Sequence, residues 1–204
     1  MFYTTDDNRH GLPHDPFKAI VAPRPIGWIS TCDPSGRVNL APYSFFNAIC
    51  DQPKLVMFSS VGAKDSVTFA ERSGNFVANF VSEHLAKQMN ATSVDAPRGE
   101  SEFEYAGLTP VASTLVSAPR VAEAYAALEC RVTQTFVPET LDANAPANAI
   151  LVVGQVVGIH IDEQILTEGL VDVAKARPVS RLGYLDFATT TTVFSMRRPR
   201  WSQG

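Results

Sequence analysis

Three serines and a lysine stand close together between residues 59 and 66, where a predicted strand gives way to a predicted helix. Ser59, Ser60 and Ser66 supply hydroxyl donors, and Lys64 supplies a cation. The free backbone N–H groups and the positive dipole end of a helix start attract an anion. The loop is therefore predicted to hold a single phosphate. The alternative is an ordinary solvated turn in which Asp65 caps the helix.

A second polar and aromatic segment, residues 39–48, reads Asn-Leu-Ala-Pro-Tyr-Ser-Phe-Phe-Asn-Ala. Pro42 removes one donor from a strand ladder, so this strand should be interrupted or should lie at the edge of a sheet. The N–H and C=O groups that such a strand leaves exposed could read the polar edge of a flat heterocycle. A core strand with a bulge is an equally open interpretation of the same residues.

Two arginines could add anion contacts. Arg24 precedes Pro25, which favours an extended entry to the next strand, and its guanidinium could reach an anion or pair with a surface carboxylate. Arg181 begins the run Arg-Leu-Gly-Tyr, in which Gly183 permits a left-handed turn. We expect Arg181 to meet a phosphate or a neighbouring subunit.

Other polar groups form no catalytic constellation in the sequence. His84 falls on a predicted exposed helix and His160 at a strand end, and neither has a recognisable carboxylate or serine partner. Glu102 is predicted to be a solvated charge. The three cysteines lack a CxxC pair, and the histidines form no metal-ligand pattern with them.

Composition and motifs exclude several classes of function. The net charge of −4 and pI near 5.5 argue against nucleic acid or an anionic membrane as the main partner. Neither GxGxxG nor GxxxxGK[ST] occurs, so a Rossmann fold is not predicted to hold a nucleotide. No apolar run approaches the roughly 20 residues of a membrane span, and the start of the chain lacks the features of a signal peptide. We expect a cytoplasmic protein.

The pattern of the 204 residues predicts one mainly β domain, 1–204, with its core at roughly 17–199. Many short strands with only two or three short helices favour an antiparallel barrel with helical decorations over a doubly wound α/β fold. Gly154 and Gly158 interrupt the strongest strand signal and are predicted to mark bends at a barrel corner. The predicted elements are a hairpin over 26–48, strands over 54–59, 75–81, 126–137, 150–161 and 189–196, and helices over 66–73 and 83–91. The residues of 33–36 favour a type I turn within the hairpin. The strand over 54–59 is short and mostly apolar, so both of its faces are predicted to be buried.

Taken in order, these pieces resemble the flavin reductase-like family, whose fold is an FMN-binding split β-barrel. The resemblance spans roughly residues 17–199, and the order and spacing of its pieces make it specific. The matching pieces begin Arg24-Pro-Ile-Gly-Trp-Ile-Ser-Thr31, Asn39-Leu-Ala-Pro-Tyr-Ser-Phe-Phe-Asn47, Phe58-Ser-Ser60 and Lys64-Asp-Ser66, and continue Phe76-Val-Ala-Asn79, Glu102-Phe103, Ala106-Gly-Leu108, Leu128-Glu-Cys130, Gly154-Gln-Val-Val157 and Arg181-Leu-Gly183.

The resemblance implies a homodimer with FMN at the subunit interface and with NADH or NADPH as electron donor. In such proteins the flavin takes the hydride, while the protein supplies binding, orientation and restricted access. A partner oxygenase or redox protein is also implied. The residues implied at the ring and ribityl chain are Ser30, Thr31, Ala41, Pro42, Tyr43, Ser44 and Phe45. Those implied at the phosphate are Ser59, Ser60, Lys64, Asp65 and Ser66, with Arg24 and Arg181 as further anion contacts.

The chain departs from the family pattern at two places. Ser66 stands where the family often has threonine, which keeps the hydroxyl. Val179 and Ser180 stand where reductase members commonly carry an aromatic or His-Tyr pair, which weakens the case for nicotinamide stacking. Three functions stay open: an NAD(P)H-dependent flavin reductase, a flavoredoxin-like FMN electron carrier, and a barrel module that binds no flavin.

Overall fold

A computed structural model describes residues 1–97 and 100–201 of the chain. Its strands are β1 (Arg24–Pro25), β2 (Gly27–Cys32), β3 (Val38–Tyr43), β4 (Phe46–Cys50), β5 (Leu55–Val61), β6 (Asn75–Asn79), β7 (Pro110–Val111), β8 (Arg120–Val121), β9 (Ala126–Phe136), β10 (Ala149–Ile161), β11 (Leu166–Thr167), β12 (Leu170–Val171), β13 (Val179–Arg181) and β14 (Phe187–Thr189). Its helices are α1 (Phe17–Ile20), α2 (Asp65–Ser73), α3 (Ala86–Ala91), α4 (Glu102–Tyr105) and α5 (Val173–Ala176), with 3-10 turns at Glu83–Leu85 and Glu163–Ile165. The predicted mainly β fold with helical decorations is confirmed.

The main sheet has seven antiparallel strands in the order β3-β2-β6-β9-β10-β5-β4. Its two edge strands, β3 and β4, are consecutive in the chain and are joined only by Ser44 and Phe45. A link of this length spans at most about 3.3–3.6 Å per residue. The sheet must therefore curl until its two edges nearly meet. At the closure Gly27 lies against Phe46, since a Cβ on Gly27 would fall 2.4 Å from the ring.

Strands β2 and β3 form the first hairpin, with partners from Gly27 and Tyr43 to Cys32 and Val38. The predicted turn over 33–36 is present, because the N–H of Gly36 donates to the carbonyl of Asp33 at 3.0 Å. Pro42 lies on an edge strand, as predicted. The prediction that the hairpin extends to residue 48 is wrong, because residues 46–48 belong to β4 and pair with β5.

The predicted bends in the longest strand are present. The pairing of β10 with β9 shifts register between Val153 and Gly154 and again between Val156 and Gly158. A Cβ on Gly154 would lie 2.5 Å from the ring of Phe76, so only glycine fits there. These two irregularities bend the strand and let the sheet curve.

Two apolar clusters hold the sheet. One, inside the curl, includes Ile29, Phe58 and Phe76, while the other, on the outer face beneath α3 and α4, includes Trp28 and Phe103. Strand β2 contributes to both because alternate side chains point to opposite faces. The predicted burial of both faces of β5 is wrong, since its residues alternate between buried and partly exposed positions.

The predicted strand over 189–196 is also wrong beyond its first residue. β14 ends at Thr189, and residues 190–201 have no regular secondary structure. Val193, Phe194 and Met196, the apolar residues that made this segment resemble a strand, are exposed. Within the described part of the chain, no helix is long and apolar enough to cross a membrane.

A buried carboxylate joins β9 to the loop that precedes β8. Glu129 is 0% exposed and accepts hydrogen bonds from the N–H groups of Thr114, at 2.7 Å, and Leu115, at 2.6 Å. Nε2 of His160 contacts the same carboxylate, so the prediction that His160 lacks a partner is wrong. Burial raises the pKa of Glu129, but the hydrogen bonds from His160 and the two N–H groups outweigh it and lower that pKa overall.

Glu129→Gln is expected to lower the free energy of unfolding by about 2–4 kcal/mol, because it replaces a buried oxygen acceptor with an amide N–H₂ that faces other donors. Since folding lowers the pKa of Glu129, its stabilisation is complete above the unfolded value of about 4.3 and is lost as the pH falls through the folded value. Urea denaturation at several pH values should show the two proteins converging in acid. Glu139→Gln, in an exposed loop, is the control. Equal stability of Glu129→Gln and wild type at pH 7 would contradict the expectation.

Candidate functional site

A cavity of about 1200 Å³ opens where the chain crosses from β3 to β4. It includes most of the residues predicted from the sequence: Arg24, Ala41, Pro42, Tyr43, Ser44, Phe45, Ser59, Ser60, Lys64, Asp65, Ser66 and Arg181. Further lining comes from residues 14–15, 17–18, 92–96, 182 and 184–186. The cavity therefore brings together the 39–48 segment and the 59–66 loop, which the sequence suggested as two separate binding features.

Ser30 and Thr31 are the two predicted residues that the structure does not bring to this cavity. Both are 0% exposed and neither lines it. The hydroxyl of Ser30 contacts the carbonyl of Pro119 and accepts from Asn79 Nδ2 at 3.0 Å. The side chain of Ser30 is therefore engaged in holding β2 and β6 together.

The 59–66 loop runs from the end of β5 into the first turn of α2. Lys64 takes the N-cap position with φ −72° and ψ 172°, so the helix begins at Asp65, one residue earlier than predicted. The first N–H groups of a helix have no partner within it. The Lys64 side chain is 61% exposed, and Nζ lies 3.8 Å from an Asp95 oxygen, a pairing worth little at the surface. The cation is thus available to a ligand at the helix start.

Behind this loop lies a cluster of hydroxyl groups in which Ser60 and Ser66 are each 1% exposed and Tyr43 is partly buried. Ser66 Oγ accepts from Asn39 Nδ2 at 2.8 Å, and Ser60 Oγ donates to the carbonyl of Gly62 at 3.0 Å. Burial raises the pKa of Tyr43, against the hydrogen bonds that join it to Ser66 and Ser60. The Tyr43 phenol therefore stays protonated at neutral pH. The cluster fixes the loop from within and links it to β3.

Arg24 does not extend into the cavity as a free cation. It is buried, and its guanidinium donates to the carbonyls of Lys18, Val21 and Leu182, the last at 2.7 Å. Burial, and then the charge of Arg181, lower its pKa. Arg24 thus joins α1 to the loop after β13, so that two segments far apart in sequence form one wall of the cavity.

Arg181 supports the same wall from the other side. Its guanidinium lies 4.5 Å from the ring centroid of Phe187 and donates to the carbonyl of Tyr184. Gly183 packs directly on α1, because a Cβ there would lie 2.5 Å from the Cβ of Ala19. Gly183 is therefore needed for this close approach. The left-handed residue of the turn is Tyr184, with φ +54°, and not Gly183 as predicted.

Glu102 is buried, not solvated as predicted. It lines the cavity from α4 and accepts a hydrogen bond from the N–H of Leu40 at 3.1 Å. Burial is the largest cause that raises its pKa, and the negative charge of Asp65 adds to it, against the hydrogen bonds from the N–H groups of Glu102 itself and Leu40.

These walls combine one anion-attracting loop with an exposed strand edge and several aromatic rings. Residues 21–179 match the sequence pattern of the flavin reductase like domain. This chain is a member of the flavin reductase-like family.

The family assignment agrees with individual relatives. The flavin reductase-like chain is 37% identical over 189 residues to an uncharacterized protein of Halalkalibacterium halodurans, covering 90% of this chain and 89% of that protein. Its fold is similar to component B of nitrilotriacetate monooxygenase from Bacillus cereus, with TM-score 0.86, 28% identity and coverage of 96% and 98%. It is also similar to the 2-nitrobenzoate 2-nitroreductase NbaA of Pseudomonas fluorescens, with TM-score 0.84, 26% identity and full coverage of both chains. The predicted split barrel is confirmed.

Two contributors to the flavin reductase-like site were not recognisable in the sequence. His14 and Tyr184 both line the cavity, with ring centroids 5.6 Å apart. No motif links residues 170 positions apart, and only the packing of α1 on the later loop brings them together.

The prediction that His84 lacks a partner is wrong, since its Nδ1 lies 2.8 Å from Ser82 Oγ.

In this flavin reductase-like protein, Glu102→Gln is expected to raise the free energy of unfolding at pH 7 by about 1 kcal/mol. Because folding raises the pKa of Glu102, ionisation costs stability as the pH rises from the unfolded value of about 4.3 through the folded value. Glutamine removes that cost and keeps an oxygen for the N–H of Leu40. Urea denaturation at pH 4 and pH 7 should show a gain only at pH 7. Glu104→Gln, exposed on the same helix, is the control, and an equal gain there would contradict the expectation.

Proposed function

We propose that this chain binds FMN in the cavity and that NADH or NADPH delivers a hydride to the bound flavin. The observation that carries the proposal is the 59–66 loop, which offers a helix start, buried hydroxyls and one exposed lysine beside a cavity lined by a strand edge. A single anion site of this kind suits the one phosphate of FMN. It suits a dinucleotide less well, because no glycine-rich dinucleotide loop follows any strand.

The fit to a flat ring comes from β3. It is an edge strand, so one row of its N–H and C=O groups has no sheet partner. The proposed ring contacts are Ala41, Pro42, Tyr43, Ser44 and Phe45, and the proposed phosphate contacts are Ser59, Ser60, Lys64, Asp65 and Ser66. Arg24 contributes indirectly, by holding the adjoining wall through three backbone carbonyls. Arg181 has the same indirect role, since its guanidinium is held by Tyr184 and Phe187.

The chemistry of the proposed reaction belongs to the flavin, which can accept a hydride and later release electrons. The residues of this chain bind the phosphate, orient the ring against the strand edge and limit access to it. Tyr43 stays protonated and donates or accepts hydrogen bonds without titrating at neutral pH. No side chain needs to act as a general acid or base in the proposed hydride transfer.

We further propose a cytoplasmic homodimer that delivers electrons to a partner oxygenase or redox protein. Support for a self-association surface comes from Ile49, Ile159 and Ile161, which are 47%, 50% and 46% exposed on the strands of the main sheet. Support for a partner oxygenase comes from the similarity to component B of a monooxygenase.

A flavoredoxin-like carrier is the second candidate, favoured by Val179 and Ser180 at positions where reductases carry aromatic residues.

Anaerobic mixing of the FMN-loaded protein with NADH or NADPH should bleach the oxidised flavin absorbance within seconds. The reason is that a reductase holds the donor close to the flavin ring, whereas a carrier does not. Stopped-flow absorbance near the flavin maximum measures the rate. A spectrum that persists with both nucleotides and disappears only with dithionite would exclude the reductase and support the carrier.

Lys64→Ala combined with Ser60→Ala is expected to raise the Kd for FMN at least tenfold, because it removes a cation and a buried hydroxyl from the proposed phosphate site. Riboflavin, which lacks the phosphate, should lose much less affinity in the same variant. Quenching of flavin fluorescence measures both constants. Lys87→Ala, on an exposed position of α3, is the control. Unaltered FMN affinity in the double variant would refute the phosphate site.

A further inference from the structure

The cavity has a second wall whose chemistry differs from that of the 59–66 loop. We call it the aromatic wall, and it consists of His14, Phe17 and Tyr184. The rings of His14 and Tyr184 have centroids 5.6 Å apart and are inclined at 53°. Phe17 is 56% exposed and Tyr184 is 50% exposed. All three rings line the cavity and are exposed to solvent.

The aromatic wall is held firmly although its rings are exposed. Arg24 joins the carbonyls of α1 to that of Leu182, and Gly183 packs on Ala19. Tyr184 has φ +54°, a left-handed conformation that costs a side chain with a Cβ about 1–2 kcal/mol. Such conformations persist only where the surroundings impose them, and they cluster at ligand sites. The surrounding contacts therefore hold Tyr184 in an unfavourable backbone conformation, with its ring at the cavity.

The polar atoms of the aromatic wall are not used by the fold. Within residues 1–97 and 100–201, the His14 ring and the Tyr184 hydroxyl make no hydrogen bond, and the ammonium of neighbouring Lys18 has no acidic partner. A wall with exposed rings and an unpaired cation suits a flat ring that carries an anionic group. Aromatic faces pair with flat rings in offset or tilted arrangements.

The cavity also exceeds the usual size range of ligand pockets. Ligand pockets are usually about 300–1,000 Å³, and this one reaches about 1200 Å³. FMN at the 59–66 loop and β3 would leave the aromatic wall for a second ligand. Val179 and Ser180 lack the rings expected of a nicotinamide contact. The structure supplies rings at the same cavity from a different part of the chain.

We propose that His14 and Tyr184 form the contact surface for the nicotinamide ring of NADH or NADPH, and that Lys18 meets the phosphates of that nucleotide. The proposal rests on the proposed flavin reductase function and names the residues that select its electron donor. Because these residues lie outside the FMN contacts, they should control donor binding without controlling FMN binding.

The test compares His14→Ala combined with Tyr184→Ala against a matched control. Tyr3 and His10 form a second tyrosine–histidine ring pair in the N-terminal segment, with centroids 5.3 Å apart, and neither lines the cavity. Tyr3→Ala combined with His10→Ala is therefore the control. Tyr184→Phe, which keeps the ring, is the conservative variant.

Two measurements are made on FMN-loaded protein: calorimetric titration with NAD⁺ or NADP⁺, which bind without reacting, and anaerobic reduction rates over a range of NADH or NADPH concentrations. The aromatic-wall double variant should raise the Kd of the oxidised nucleotide and the half-saturating donor concentration at least tenfold. Its Kd for FMN and its rate of reduction by dithionite should equal those of wild type. The Tyr3 and His10 control should resemble wild type throughout. Tyr184→Phe, which keeps the ring, should bind the nucleotide more tightly than the double variant.

Each other outcome decides between the two proposals. If wild type binds the oxidised nucleotide and loses it in the double variant but is never reduced by NADH or NADPH, the reductase function fails and the nucleotide contact stands. If wild type is reduced and the double variant keeps the wild-type half-saturating concentration, the aromatic wall is overturned while the reductase function stands. If wild type neither binds the oxidised nucleotide nor is reduced by NADH or NADPH, both fail. A parallel loss of FMN affinity in the double variant would also overturn the assignment, because it would show a general disturbance of the cavity.

Discussion

The short connection between β3 and β4 is the constraint on which the rest of the molecule depends. These strands lie at opposite edges of a seven-stranded sheet, yet only Ser44 and Phe45 join them. The sheet must close on itself, and the closure needs a glycine at position 27, where any side chain would overlap Phe46. The bulges near Gly154 and Gly158 supply the curvature on the far side of the same sheet. The candidate site lies where the edges meet, because an edge strand leaves one row of its backbone N–H and C=O groups without a sheet partner.

The closure also explains why the site is assembled from distant segments. Once β3 and β4 are at the seam, β5 follows β4 directly and brings the 59–66 loop to the same end of the barrel. The buried hydroxyls of Ser60 and Ser66, with the Tyr43 phenol, then join that loop to β3. The proposed contacts for a phosphate and for a flat ring are therefore neighbours as a consequence of topology.

Local chemistry made much of this predictable from the sequence. The turn over 33–36, the edge position of Pro42, the bends at two glycines and the 59–66 loop follow from residue-specific backbone preferences that act within a few positions. The predictions that were wrong concern contacts between residues far apart in the sequence. Packing between elements decides the partners of His160 and Arg24, the burial of Glu102 and the end of β14. No local sequence pattern encodes this packing. Residues 189–196 have the composition of a strand, but β14 ends at Thr189, so their propensity is not realised.

The role of Arg24 shows how such a long-range contact changes a functional interpretation. An arginine at a strand start near a predicted phosphate site suggests an anion contact. In the structure Arg24 is buried, and its two terminal nitrogens donate to three backbone carbonyls. The same three bonds place α1 beside the loop after β13, which is what brings His14 and Tyr184 together. Arg24, which the sequence suggested as an anion contact, therefore holds together the aromatic wall. That wall is the surface at which we propose that NADH or NADPH binds.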